Sequence, residues 1–169
     1  MSLAQAHRDP RRVPHHSKIS SLALATIRID PSHLSMPGQL SIARAQGAKF
    51  CEDPMKKRFA KIAGEIRPLA CGLGACIATD MITVDGMPVR FMYREKPDND
   101  LDSGWRFFAG SETDEYVENP ENSGIYDVNT IANYDPDIIA HLEAPEGSAL
   151  ERVDGSQPFV ELFDFQIGD

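Results

Sequence analysis

Residues 77–110, IATDMITVDGMPVRFMYREKPDNDLDSGWRFFAG, decide the predicted fold. Asp85-Gly86 predicts a tight β-hairpin, because a type I′ turn requires positive φ at both central residues and Asp and Gly tolerate this best. Pairing outward from the turn places four apolar side chains on one sheet face, which we predict to be buried: Ile82, Val89, Phe91 and Tyr93. A third strand is predicted over 104–109, where Trp105 and Phe107 bring large apolar surface.

The segment after this strand predicts short helices that begin at capping residues. Ser111 can cap a helix over 112–118, and Asp127 can cap one over 128–133. Asn122-Ser123-Gly124 between them predicts a loop. Asp135-Pro136 then predicts the start of a helix over 137–142, because Pro is favoured at the first helical position.

The last part of the chain predicts a second hairpin. Residues 148–153 and 159–163 alternate about Asp154-Gly155-Ser156-Gln157. The predicted fold class is therefore α+β, with an antiparallel sheet of about five strands in the order ββ-β-αα-ββ. Short helices are expected on one face of this sheet, and a basic helix before it.

Charge divides the chain into unlike parts. Residues 1–70 contain 12 Lys+Arg and 5 Asp+Glu, a net charge of +7, whereas residues 71–169 contain 5 and 21, a net charge of −16. An acidic domain of this kind repels nucleic acid and anionic membranes, so we predict neither as a partner. A basic protein is the natural complement.

Three segments are predicted from these patterns. Residues 1–50 are either a disordered basic arm or precede a natural start at Met36 or Met55. Residues 51–70 form a basic helix in which Asp53 is the N-cap and Pro54 the first helical residue. Residues 71–169 form the acidic α+β domain.

The number of cysteines and the length of the apolar runs give information on the cellular location of the protein. Three cysteines are too few for a disulfide framework, which indicates a reducing compartment. No apolar run approaches the roughly 18–20 residues of a membrane helix. A cytoplasmic location is expected, and the oligomeric state is left open.

Three chemical alternatives can be drawn from the residues. Cys71-x4-Cys76 lacks the second ligand pair of a zinc site. Residues 98–102, DNDLD, are similar to the start of a calcium loop, but Ser103 and Ala109 stand where Gly and Glu are required. A hydrolase would join Ser103 or Cys76 to His141. The expectation is no metal, no cofactor and no catalytic residue, with a small hydrolase or an ion-binding domain as alternatives.

The partner-binding site is predicted at the connection between the second and third strands. This connection, 95–103, is longer than a hairpin needs and carries several acids. Loops on a rigid sheet are where binding groups concentrate, and adjoining Trp or Arg residues can act as anchors. The predicted site residues are Asp98, Asp100, Asp102, Trp105 and Arg106.

Two long strings resemble a known family. MYREKPDNDLDSGWRF (92–107) and GIYDVNTIANYDP (124–136) are similar to sequences of the bacterial Immunity protein 33 family, over about residues 76–162. The resemblance implies a non-enzymatic cytoplasmic protein of polymorphic toxin systems that binds and neutralises a cognate toxin. It supplies no catalytic residues, and a general cytoplasmic role remains an alternative.

Overall fold

The computed structural model describes residues 57–166, which build one mixed sheet with short helices between its strands. The strands are β1 (Ala75–Thr79), β2 (Phe91–Arg94), β3 (Asp102–Phe108), β4 (Ser123–Asp127), β5 (Ala149–Glu151) and β6 (Val160–Glu161). The α-helices are α1 (Asp80–Thr83), α2 (Asp114–Glu118) and α3 (Val128–Tyr134), and 3-10 helices lie at Ala63–Glu65, Pro120–Asn122 and Pro136–His141. The predicted arm over 1–50, and the predicted basic helix over 51–56, lie outside the described residues.

The six strands lie in the order β4-β1-β3-β2-β5-β6. β1 and β3 are parallel, and every other neighbouring pair is antiparallel. The predicted α+β class is confirmed. The expected antiparallel sheet of about five strands is corrected in two details, because β1 pairs in parallel and β4 occupies a segment predicted in part as a loop.

The hairpin predicted about Asp85-Gly86 is wrong. The chain leaves β1 as helix α1, and the N–H of Met87 donates to the carbonyl of Met81 at 2.9 Å, so β1 and β2 never pair. Gly86 has the expected positive φ of 73°, but the turn joins a helix to an extended segment. A short apolar run such as residues 81–84 is compatible with a helical turn as well as with a strand, so the sequence pattern could not distinguish helix α1 from a strand.

β3 takes the position between β1 and β2. It is the longest strand, and all seven of its residues are buried. A central position covers both faces of a strand, and for β3 that removes three large aromatic side chains from water. The gain in buried apolar area favours this order over a β1–β2 hairpin.

The four side chains predicted to share a face are all buried, but on two faces. Ile82 and Val89 belong to the larger core cluster, whereas Phe91 and Tyr93 pack with Phe108 on the other side of the sheet. β2 begins only at Phe91, so strand alternation does not extend back to Val89. The prediction of one shared face is therefore wrong.

Helices cover both faces of the sheet, where the sequence predicted one. The larger core cluster includes Met92, Trp105, Phe107, Val128, Ile131 and Ile138, and so lies between the sheet, α3 and the 3-10 helix after it. The opposite face is covered by Val117 of α2 and by Leu162 and Phe165 near the end of the described chain.

Two predicted helix starts and the second hairpin are confirmed. Asp127 caps α3 by accepting from an N–H of its first turn at 2.8 Å, and Asp135 caps the following 3-10 helix at 3.2 Å. α2 is capped by Thr113 rather than Ser111. The second hairpin is confirmed as the antiparallel pair β5–β6.

Residues 57–70, hereafter the strap, contain one 3-10 helix and no α-helix, although the sequence predicted a basic helix here. Gly64 and Pro68 interrupt the apolar period that suggested it, and both disfavour helix interiors. The strap instead bonds to α1, β4 and α3, and its two links to α1 are the pairs Lys57–Asp80 at 2.8 Å and Ala60 N–Thr83 O at 2.9 Å.

Gly104 in β3 has no room for a side chain. Its φ is 78°, and a Cβ there would lie 2.2 Å from the carbonyl oxygen of Glu95. We expect Gly104→Ala to lower the free energy of unfolding by about 2–4 kcal/mol, measured by urea denaturation. Gly72→Ala is the control, because Gly72 has a similar φ of 81° but open space around it. Its expected loss is about 1–2 kcal/mol, and equal losses would contradict the steric reason.

Candidate functional site

One end of the sheet gathers five exposed carboxylates. β1, β3 and β5 start at this end and β2 and β4 finish there, because β1 and β3 are parallel and the other pairs antiparallel. The connection after β2 contributes Asp98 and Asp100, the end of β4 contributes Asp127, and the connection before β5 contributes Glu143 and Glu146. We call these five residues the acidic end.

The connection 95–101 is tied to the neighbouring strand by its backbone. The N–H of Ala75 in β1 donates to the carbonyl of Leu101 at 2.6 Å. The side chain of Asn99 accepts from Leu101 N–H at 2.9 Å, and its carbonyl accepts from Asp102 N–H at 3.1 Å. The connection is therefore an ordered turn at one end of the sheet.

A buried ion cluster lies beneath this connection. Arg106 of β3 donates to the two carboxylate oxygens of Asp102 at 2.9 and 2.8 Å, and its Nε donates to Glu95 Oε1 at 2.6 Å. The side chains of Asp102 and Arg106 are 0% and 2% exposed. Asp102 also accepts from the N–H groups of Asp98 at 3.0 Å and Gly104 at 2.9 Å. The cluster ties both ends of the connection to the sheet.

Hydrogen bonds decide the charge of this cluster. Burial alone would raise the pKa of Asp102, but the bonds from Arg106 and from backbone N–H groups outweigh it and lower the pKa below its ordinary value. Burial raises the pKa of Glu95, and Arg106 offsets only part of this rise. Burial would lower the pKa of Arg106, yet its two carboxylate partners raise it. Asp102 and Arg106 are both charged at neutral pH.

Two of the five predicted site residues are exposed. Asp98 and Asp100 lie at the surface, whereas Asp102, Trp105 and Arg106 are buried. Trp105 and Arg106 therefore have no free surface for the predicted anchor contact, because β3 lies in the centre of the sheet. Binding of a partner by Asp98 and Asp100 stays a prediction.

Sequence reasoning missed four members of this surface, and one of them, Asp127, was predicted only as a helix cap. Leu101 is 47% exposed beside the acids and offers an apolar contact. Glu143 and Glu146 reach the same end because β5 pairs with β2, and Arg94 fixes their loop by donating to the carbonyl of Ala144 at 2.7 Å. The pairing of β5 with β2 joins segments far apart in sequence, so no local pattern could have brought these residues to the site.

The residues of the hydrolase interpretation are not brought together. Cys76 is buried, which raises the pKa of its thiol, and the thiol donates to a carbonyl of β4. Ser103 Oγ donates to the carbonyl of Ala75 at 2.6 Å, and His141 packs edge-on against Phe159 at 5.3 Å. Neither nucleophile is in contact with the histidine that would activate it.

The calcium and zinc interpretations also find no assembled ligands. Both carboxylate oxygens of Asp102, which a calcium loop would use, accept from Arg106, and Cys71 is exposed while Cys76 is buried. Within residues 57–166, no group of three or more His, Cys, Asp or Glu side chains is placed to hold a metal ion. None of the helices in that range has the length and apolar character to cross a membrane.

A family comparison matches the part of the chain that contains this site. The family model described as Immunity protein Imm33 domain matches residues 76–163, slightly more than half of the 169 residues. The chain belongs to the Imm33 immunity protein family. The match spans the sheet and the acidic end of this Imm33 domain, and the strap precedes it. Comparisons with curated proteins and with solved structures give no match.

Removing one charge from the buried cluster should destabilise the Imm33 domain more than removing both. We expect Arg106→Met to lower the free energy of unfolding by about 3–5 kcal/mol, because Asp102 is left buried without its partner. Adding Asp102→Asn should recover about 1 kcal/mol or more, since Asn is neutral and still accepts from Gly104 N–H. Urea denaturation at pH 7 measures both, and a double variant less stable than Arg106→Met would refute the pairing.

The lowered pKa of Asp102 predicts acid sensitivity. An unfolded Asp has a pKa of about 3.9, so the contribution of Asp102 is present above about pH 4 and is lost as pH falls through the folded pKa. Glu95 has the opposite sign, because its raised folded pKa favours the protonated form. We expect the wild type to lose stability below about pH 4 more steeply than Asp102→Asn. Denaturation curves at pH 7, 4 and 3 compare the two, and parallel losses would count against Asp102.

Proposed function

We propose that this domain neutralises a cognate bacterial toxin by binding a basic surface of it through the acidic end, without catalysis. The observation that carries the proposal is the ordered connection 95–101, which holds Asp98, Asp100 and Leu101 at the surface above the buried Asp102–Arg106 pair. Membership of the immunity protein family supports the general role. A cytoplasmic location is part of the proposal, because the toxin must be met inside the cell that it would harm.

The charge of the domain supports a basic partner. Residues 57–166 contain 9 Lys+Arg and 21 Asp+Glu, a net charge of −12. Arg106 and Arg152 are buried in pairs with acids, so they contribute little positive charge to the surface. A field of this sign speeds association with a basic protein and opposes nucleic acid and anionic lipid.

The order of the connection supports persistent binding. Each loop residue that is already fixed before association avoids an entropic loss on binding. Leu101 can provide the desolvated apolar contact that the sequence assigned to Trp105, with the carboxylates around it selecting the partner. Asp102 and Arg106 then contribute from beneath the surface, because their bonds to Asp98 N–H and to Glu95 hold the loop in place.

A second acidic segment lies at the other end of β3. Asp114, Glu115 and Glu118 of α2 are exposed, while Glu112 turns inward and accepts from Thr79 Oγ1 at 2.6 Å. No large hydrophobic side chain of α2 is exposed. Because it offers charge without an apolar contact, α2 is the weaker candidate and provides a matched control.

The test uses two pairs of charge-neutralising substitutions. Asp98→Asn with Asp100→Asn should weaken binding to the purified product of the neighbouring open reading frame by about tenfold and reduce its salt dependence. Both side chains are exposed, so the melting temperature should not change. Isothermal titration calorimetry at two salt concentrations measures the effect.

Asp114→Asn with Glu115→Gln is the control, because it removes the same charge from α2. We expect it to bind as the wild type does. If the control loses affinity and the first pair does not, α2 is the binding surface. If the wild type does not bind the neighbouring product at all, the proposed toxin recognition loses its support in favour of a general cytoplasmic role.

A further inference from the structure

The strap lies against the domain mainly through its own backbone. The N–H of Ala60 donates to the carbonyl of Thr83 at 2.9 Å, and the N–H of Lys61 donates to the hydroxyl of Tyr134 at 3.1 Å. Tyr134 in turn donates to the same carbonyl of Thr83 at 2.9 Å. The first half of the strap is thus held by main-chain bonds to α1 and α3.

Two asparagines on one side of α3 bind the second half. Asn133 accepts from Arg67 N–H and donates to Arg67 C=O, both at 2.8 Å, so its side-chain amide binds both backbone polar groups of Arg67. Asn129 donates to the same carbonyl at 2.9 Å and accepts from the N–H groups of Leu69 at 2.7 Å and Ala70 at 2.9 Å. The two side chains are four residues apart, which places them on one helical face.

The bonding pattern has a gap that matches a proline. Donors are used at Arg67, Leu69 and Ala70, and residue 68 between them is proline, which has no N–H. A segment of the form Xaa-Pro-Xaa-Xaa therefore leaves no donor unpaired at this surface. Proline also restricts the chain before binding, which reduces the entropy lost on docking.

Strap side chains contribute little burial. Ile62 is 69% exposed, Phe59 46% and Leu69 44%, and Ala70 alone among residues 57–70 is buried. Side-chain contacts include Lys57 with Asp80 at 2.8 Å, Lys61 over the ring of Tyr134 at 5.9 Å, and Phe59 edge-on against Tyr126 with 6.1 Å between ring centroids. Recognition therefore depends on backbone shape, the proline gap and positive charge.

We propose that Thr83, Tyr126, Asn129, Asn133 and Tyr134 form a peptide-binding site for an extended, basic Xaa-Pro-Xaa-Xaa segment of a partner protein, and that the strap is its intramolecular occupant. The strap demonstrates the fit, since its backbone, two lysines and Phe59 make these contacts. The proposal does not depend on toxin binding at the acidic end.

The strap competes with any external segment. It is joined to β1 through residues 71–74, so its effective concentration at the site is on the order of millimolar or more. Gly72 in this connection has a φ of 81° and no neighbouring atom within 4 Å of a built Cβ, so it can serve as a hinge. An external peptide should bind the wild type weakly and a variant with a loosened strap more tightly.

The test uses the full chain and a fluorescein-labelled peptide with the strap sequence, KRFAKIAGEIRPLA. Ala60→Pro with Leu69→Pro removes two strap donors and leaves the site untouched. We expect this variant to bind the peptide about tenfold more tightly than the wild type by fluorescence anisotropy. Adding Asn129→Ala and Asn133→Ala should abolish binding.

A control peptide exchanges the order of Pro68 and Leu69 and keeps the same composition. It should bind at least about tenfold more weakly, because proline at position 69 removes the N–H from which Asn129 Oδ1 accepts. Equal binding of the two peptides, or no saturable binding to the loosened variant, would overturn the proposal.

Hydrogen exchange in the wild-type chain gives a second measurement that does not depend on the variants folding. Millimolar unlabelled peptide should speed exchange at the amides of Lys61, Leu69 and Ala70 by displacing the strap, and the control peptide should not. Unchanged exchange with both peptides would contradict a shared site.

Discussion

A guanidinium buried in the centre of a β-sheet has to be matched by carboxylates, and Arg106 imposes this requirement on β3. Asp102 and Glu95 meet it from the two ends of one connection, so the loop between them is held by the same bonds that neutralise the charge. Gly104 lies between the paired residues because a side chain there would strike the carbonyl of Glu95. The shape of the exposed acidic loop thus depends on the buried guanidinium of Arg106.

A second buried pair performs the same task at the opposite end of the sheet. Arg152, after β5, pairs with Asp135 and donates to the carbonyl of Val89 at 2.7 Å, while Asp135 also accepts from the N–H of Val89 at 2.9 Å. These bonds connect β5, the approach to β2 and the 3-10 helix after α3. Each end of the sheet is therefore held by a buried arginine–aspartate pair whose aspartate also accepts from a backbone N–H. Removal of either member of a pair would leave a buried charge unpaired.

The sequence allowed prediction of what local patterns encode. Asp127 and Asp135 marked helix starts, Asp154-Gly155 lay within the connection of the second hairpin, and long strings indicated the family. The neighbours of β1 could not be predicted, because its parallel pairing with β3 depends on the area buried in the whole sheet. The unpredicted strand order also explains the outcome for the site. Asp98 and Asp100 were predicted and are exposed. Trp105 and Arg106 were predicted as surface anchors, because no local pattern showed that β3 lies in the centre of the sheet.

The strand order also constrains how the chain reaches its fold. β2 and β3 are joined by residues 95–101 and can pair early, because closing a short loop loses little entropy. β1 does not pair with β2, the next strand in sequence. Its neighbours in the sheet are β3 and β4, which both come later in the chain. We therefore expect the β2–β3 hairpin to form early in folding, and β1 with the strap attached to join late. Because the acidic loop joins these two strands, we expect it to keep its shape when fluctuations release the strap.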